Sequence, residues 1–267
     1  MPDKNSPIGV FDSGLGGLTV FKALRRLLPG ENLVYFGDTA RVPYGTKSRE
    51  AVISFSREIA AYLFARKIKM LVVACNTASS LALEELRRLS PVPVLGVIEP
   101  GVKAALAQTP PGGRILVIGT SATVASRAYS EALLRARPGA RVLEKACPLF
   151  VPLVEEGWCR KPLAALAARE YLAPFKNKNI DSLILGCTHY PLLARVVAKV
   201  MGPGVRIVDS ATAAAQAVRD GLRSAGQLNP GRGGRQTFIV SDAPDRFSAL
   251  AGSLLGIRTG KVLVKRF

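Results

Sequence analysis

Met70-Leu-Val-Val-Ala-Cys75-Asn-Thr77 is a short, wholly apolar run that stops on a cysteine and a polar turn. A run this short, set between helix-like segments, reads as a strand buried on both faces, as in parallel sheets covered by helices. Upstream, Ser48–Arg66 carries Ile53, Ile59, Ala60 and Leu63 on one helical face; downstream, Thr77–Leu89 reads as a helix ending before Ser90-Pro91. Working outward, Ile8–Phe11, Leu33–Phe36 and Val94–Ile98 are further strands, and Leu18–Leu28 is a helix closed by Pro29-Gly30. Strand, loop, helix, strand in series predicts a doubly wound α/β fold with a mainly parallel sheet.

About 110 residues downstream the pattern restarts. Arg114-Ile-Leu-Val-Ile-Gly-Thr-Ser-Ala-Thr123 matches Pro7-Ile-Gly-Val-Phe-Asp-Ser-Gly14 in kind: apolar strand, then a small-residue loop with hydroxyls, then a helix. Leu183-Ile-Leu-Gly-Cys-Thr-His189 matches Leu71-Val-Val-Ala-Cys-Asn-Thr77 in the same way. The chain therefore reads as two similar α/β units. A helix at Ser210–Ala225, a Gly/Arg-rich connector at Pro230–Arg235, a strand at Thr237–Val240, a helix near Pro244–Leu255 and a last apolar stretch at Lys261–Val264 complete it.

Composition narrows the class. Of 267 residues, 48% are hydrophobic, which excludes disorder as the main state. No apolar run approaches the ~20 residues of a membrane span, and the N-terminus has no signal-peptide pattern. Four cysteines are too few for a disulfide scaffold, so a reducing cytoplasm is expected. The net charge of +18 permits nonspecific attraction to nucleic acid, but the cations are scattered over helix-like segments and no zinc-finger or RNA-binding pattern accompanies them.

Cys75 and Cys187 each follow a buried strand and precede a polar turn. Ligands of open parallel sheets bind at the carboxyl ends of strands, and a thiol there faces the N–H groups of the next helix. A lone cysteine in this position often packs as a small hydrophobe. Two in equivalent positions of a repeated unit favour chemistry. Cys147 and Cys159 lack the context and read as structural. There is no C-x-x-C and only one histidine, His189, so neither a metal site nor any metal cofactor is expected. A hydrolase with one Cys–His pair leaves the twin thiol unexplained.

Asp12-Ser13-Gly14-Leu15-Gly16-Gly17 is not a dinucleotide fingerprint, because the third glycine falls at Thr19. The loop still offers N–H groups to a small anion, as does Gly119–Thr123. Asp38-Thr39 and Pro43-Tyr44-Gly45 can roof the same cleft, and Asp12 can bind an ammonium group, polarise a thiol or cap the next helix. Two strand-end thiols facing each other across a small anion suit inversion at a C–H centre. One sulfur removes the Cα proton while the other delivers a proton to the opposite face.

At these residues the sequence resembles the glutamate racemases of the aspartate/glutamate racemase superfamily. The matching stretches are Ile8–Gly17, Tyr35–Gly45, Ala74–Ala78, Val97–Pro100, Cys147–Gly157 and Gly186–Leu193. The resemblance implies interconversion of L- and D-glutamate without cofactor, supply of D-glutamate for peptidoglycan, and usually a homodimer. It assigns Cys75 and Cys187 as the acid/base pair, with Cys187 acting on L-glutamate and Cys75 on the D-isomer. Asp12, Glu156 and His189 match residues supporting the thiols. Asp12, Ser13, Pro43, Tyr44, Gly45, Asn76, Thr77, Thr120, Thr123, Thr188 and His189 match substrate contacts. It also implies two α/β domains with the active site in the cleft between them, residues 1–98 completed by 210–267 and residues 99–209. With the first strand beginning at Ile8, regulation through an N-terminal extension is not expected. Racemisation of aspartate or another acidic amino acid, and more distantly a basic nucleic-acid- or protein-binding module, are the alternatives.

Overall fold

The computed structural model describes residues 2–267. The first part of the chain alternates strand and helix: β1 (Ile8–Asp12), α1 (Leu18–Leu27), β2 (Leu33–Gly37), α2 (Arg49–Ala65), β3 (Met70–Val73), α3 (Asn76–Leu81), α4 (Leu83–Leu89), β4 (Val94–Gly96) and α5 (Ile98–Gln108). The second part repeats it: β5 (Arg114–Gly119), α6 (Ser121–Ala125), α7 (Ala128–Ala136), β6 (Arg141–Ala146), α8 (Phe150–Glu155), α9 (Pro162–Leu172), β7 (Ile180–Gly186), α10 (Ala194–Met201) and β8 (Arg206–Asp209). Then α11 (Ser210–Ser224), β9 (Gln236–Val240), α12 (Pro244–Leu255) and β10 (Val262–Val264) follow.

These strands form two sheets, ordered β10-β9-β2-β1-β3-β4 and β6-β5-β7-β8, and every pairing is parallel. The block β2-β1-β3-β4 of the first has the same order as the whole of the second, so the restart read in the sequence extends to topology. The α/β reading holds. Both sheets are covered on both faces. Ile8 and Val10 of β1 join one core with α1, α11 and α12, while the alternate Phe11 joins another with α2 and α3. The second sheet packs α8, α9 and α10 against one face and α5 and α7 against the other. The chain crosses between sheets at α5 and again at α11, and these two helices pack on each other.

Two elements differ from the sequence reading. The strand expected to reach Ile98 ends at Gly96, because Ile98 opens α5 with Glu99-Pro100 in its first turn, where proline is preorganised for a helix. The helix expected over Thr77–Leu89 is two pieces bent at Ala82, bridged by the Ala82 N–H to Ala78 and the Leu86 N–H to Ala82.

Candidate active site

Strand order reverses between β1 and β3 and again between β5 and β7. Loops leaving neighbouring strands diverge at such a point and open a crevice over the carboxyl ends. The pairings Phe11–Val73 and Gly119–Gly186 place Cys75 and Cys187 just past those ends, on equivalent strands. The two crevices meet. At their junction is a narrow cavity lined by Ser13, Pro43, Tyr44, Gly45, Cys75, Asn76, Thr77, Thr120, Val151, Cys187, Thr188 and His189. Of the expected contact residues, Asp12 and Thr123 stand behind this wall, and Val151 is added to it.

Cys75 is 4% exposed and is the N-cap of α3, its sulfur accepting from the Ala78 N–H at 3.5 Å. Its thiol also faces Ser13 Oγ at 3.8 Å. Burial, reinforced by the nearby Asp12 carboxylate, pushes the Cys75 pKa up to about 12. Cys75 is therefore held as a thiol with a proton to give.

Asp12 is fully buried. Oδ2 accepts the Gly14 N–H at 3.0 Å, and Oδ1 accepts the Thr188 hydroxyl at 3.1 Å from the opposite sheet. Burial raises its pKa, and the charge of His189 opposes that rise. The loop behind it is held by the Tyr35 hydroxyl, which donates to the Gly14 carbonyl at 2.7 Å.

Cys187, 5% exposed, has a different neighbour: His189 Nδ1 lies 3.8 Å from its sulfur. The other ring nitrogen, Nε2, is 2.7 Å from Glu155 Oε1. Burial works against a charged imidazole, yet the hydrogen bonds to Cys187 and Glu155 prevail and hold the His189 pKa well above 6.5. Burial likewise works against the Glu155 carboxylate, but its bond to His189 keeps its pKa below 4.5.

Glu156, the acid expected to support the thiols, is not the residue in contact. It is 58% exposed and pairs with Arg246 on the surface at 2.9 Å. The reason is helical phase. Val151 lines the cavity, and Glu155 lies four residues on, on the same face of α8, while Glu156 is turned about 100° further round. That spacing was the available signal.

The remaining polar groups join the two halves. Thr77, from the first unit, meets Thr120 at 3.0 Å and Thr123 at 3.2 Å, and those two meet each other at 2.9 Å. Tyr44 is buried and commits its hydroxyl to Asp38, which also receives the Ser241 hydroxyl at 2.8 Å, so Tyr44 brings ring and backbone to the cavity. All four cysteines are free, and burial raises Cys147 to about 12 and Cys159 also above the ordinary thiol value.

Contact between the halves is close at Gly16. A Cβ there would stand 2.4 Å from Thr188 Oγ1 and 2.5 Å from His189 Nδ1. Gly16→Ala is expected to displace the imidazole and lower kcat/KM by about 10²-fold, with the protein still folded. Steady-state kinetics beside a thermal melt check this.

The Asp/Glu/Hydantoin racemase family matches residues 8–218. A glutamate racemase of Geobacter metallireducens is 51% identical over 256 residues, covering 96% of this chain and 94% of that one. The crystal structure of glutamate racemase from Thermus thermophilus in complex with β-chloro-D-alanine superposes with a TM-score of 0.89 at 48% identity, covering 99% of this chain and 98% of that one. That from Francisella tularensis in complex with D-glutamate gives 0.91 at 37%, covering 98% of each. Matched in sequence and fold along nearly its whole length, the chain belongs to the Asp/Glu/Hydantoin racemase family, among the glutamate racemases.

Proposed function

We propose that this protein interconverts L- and D-glutamate by a two-base reaction, with Cys187 as thiolate removing the Cα proton of L-glutamate and Cys75 as thiol protonating the opposite face. The observation that carries this is that two buried thiols, each following an equivalent strand of its own sheet, line one narrow cavity where the two halves meet. One C–H bond breaks and one forms, so the product is the enantiomer and the thiols exchange protonation states; proton exchange with water resets them. Cys75, held as a thiol by burial, suits the donor role for L-glutamate. His189, its charged form favoured by its bonds to Cys187 and Glu155, suits a site that must tolerate negative sulfur. Hydroxyls of Ser13, Thr77 and Thr120 line the cavity as donors for carboxylates, and donors near the α-carboxylate spread the charge of the carbanion. The reaction asks nothing of a metal or cofactor. Its product suits peptidoglycan synthesis, and the homodimer implied by the resemblance is part of the same reading.

The experiment is racemisation of L-glutamate and L-aspartate side by side, followed by circular dichroism. Turnover of glutamate with at least roughly 10²-fold preference over aspartate is expected, since donors placed to bond one chain length are left unpaired by a shorter one. Preference for aspartate moves the assignment to that substrate; no turnover of either removes the reaction.

A further inference from the structure

Tyr129 lies in the core between the second sheet and its α5–α7 face, wholly buried beside Val102 and Ile184. Its hydroxyl leaves that core. It donates to Asn76 Oδ1 at 2.7 Å, a residue of α3 in the other half of the molecule. Its ring edge abuts the backbone before the second thiol: a Cβ on Gly186 would come within 3.1 Å of it. Asn76 follows Cys75 and Gly186 precedes Cys187, so one side chain touches residues adjoining both sulfurs.

The consequence for Asn76 is chemical. A primary amide offers an acceptor on one side and two donors on the other, and which side faces a cavity is set by its fixed partners. Here Oδ1 is taken by the phenol. Asn76 is 3% exposed and lines the cavity, and among the described residues no acceptor bonds its Nδ2. The NH₂ group is therefore the end left for a ligand. Rotated the other way, the amide would present its oxygen and repel an anionic group while leaving the phenol without its acceptor.

We infer that Tyr129 is a positioning residue for the reaction proposed above: its hydroxyl locks Asn76 with the amide NH₂ toward the cavity, so that this position binds a carboxylate oxygen of the substrate and not its ammonium group. The inference rests on the racemase reading for its kinetics, but not for its geometry.

Tyr129→Phe keeps the ring against Gly186 and removes only the hydroxyl. KM for both glutamate enantiomers is expected to rise about tenfold, because an amide no longer held in one orientation loses its fixed hydrogen bond to a substrate carboxylate oxygen. In an Asn76→Ala background the same change is expected to alter KM less than about twofold, since Tyr129 acts through Asn76. An unchanged KM in Tyr129→Phe, or an equal rise in the Asn76→Ala background, overturns the inference. An atomic-resolution crystal structure of Tyr129→Phe reads the geometry without any assay. Asn76 rotated or in two amide orientations supports the lock; Asn76 unmoved, with NH₂ still facing the cavity, overturns it. Should the wild-type enzyme turn over neither glutamate nor aspartate, the racemase reading fails, and the crystal structure alone decides what Tyr129 does.

Discussion

Serine in place of either cysteine is expected to lower racemisation in both directions by about 10²–10⁴-fold, the usual contribution of a positioned acid or base. The substitution is nearly isosteric and both positions are buried, so folding is expected to survive. Loss of rate alone would not separate chemistry from packing; exchange at Cα does. With Cys75→Ser, Cys187 still removes the proton of L-glutamate, so L-glutamate takes up deuterium from D₂O without inverting, while D-glutamate is silent. With Cys187→Ser the pattern reverses. Proton NMR of each enantiomer in D₂O reads both cases. Racemisation at the wild-type rate in either variant removes the two-base mechanism, and identical exchange patterns in the two variants remove the assignment of a thiol to each face.

The second large effect is expected at Glu155. Glu155→Gln takes away the carboxylate 2.7 Å from His189 Nε2 and leaves Cys187 as the partner that still favours the charge of the buried imidazole. A drop in kcat of about 10²-fold is expected, greater in the direction that begins at Cys187. Glu156→Gln loses only an exposed pair with Arg246 and is expected to change kcat less than about twofold. A reversal of these two results would return the supporting role to Glu156. The pair also leaves a mark on stability. Glu155 has a pKa lowered in the folded state, so its contribution is present above the ordinary 4.5 and fades as pH falls through the lower value. His189 has a raised pKa, so its contribution is complete below 6.5 and is lost as pH rises through the higher one. The Tm difference between wild type and Glu155→Gln is thus expected to be widest between these two ordinary values and to shrink on either side. A pH-independent difference would mean the two groups are not an ion pair.

Local pattern carried much of this fold. Met70–Ala74 and Leu183–Leu185 are apolar runs too short for helices, and each leads within two residues to its cysteine, so the thiols' places at strand ends were readable before any pairing was known. The strand order was not readable. It depends on which strands pair across long intervals, and nothing in Ile8–Asp12 states that both Leu33–Gly37 and Met70–Val73 will flank it. Element ends gave way where two signals overlapped, as at Ile98, whose apolar side chain continued a strand pattern while Glu99-Pro100 had already started a helix.

The site followed the same division. Residues beside the cysteines in sequence, such as Asn76, Thr77, Thr188 and His189, were found with them. Residues that arrive through tertiary packing were harder. Glu155 and Glu156 are chemically identical neighbours, and only the phase of a six-residue helix separates them. Tyr129 lies in a helix whose pattern speaks of core, and its hydroxyl acquires a partner only when the halves meet. The hydroxyl of Tyr44 was spent on Asp38, a partner invisible without coordinates.

The two sulfurs live in unlike company: Ser13 and Asp12 around one, His189 and Glu155 around the other. Mirror-image molecules free in water have equal energy, so any catalyst that interconverts them must bring them to balance at a ratio of one. Thermodynamics then requires equal kcat/KM forward and backward, however lopsided the pocket. Whichever hand of substrate the protein turns over faster, it must hold correspondingly more loosely.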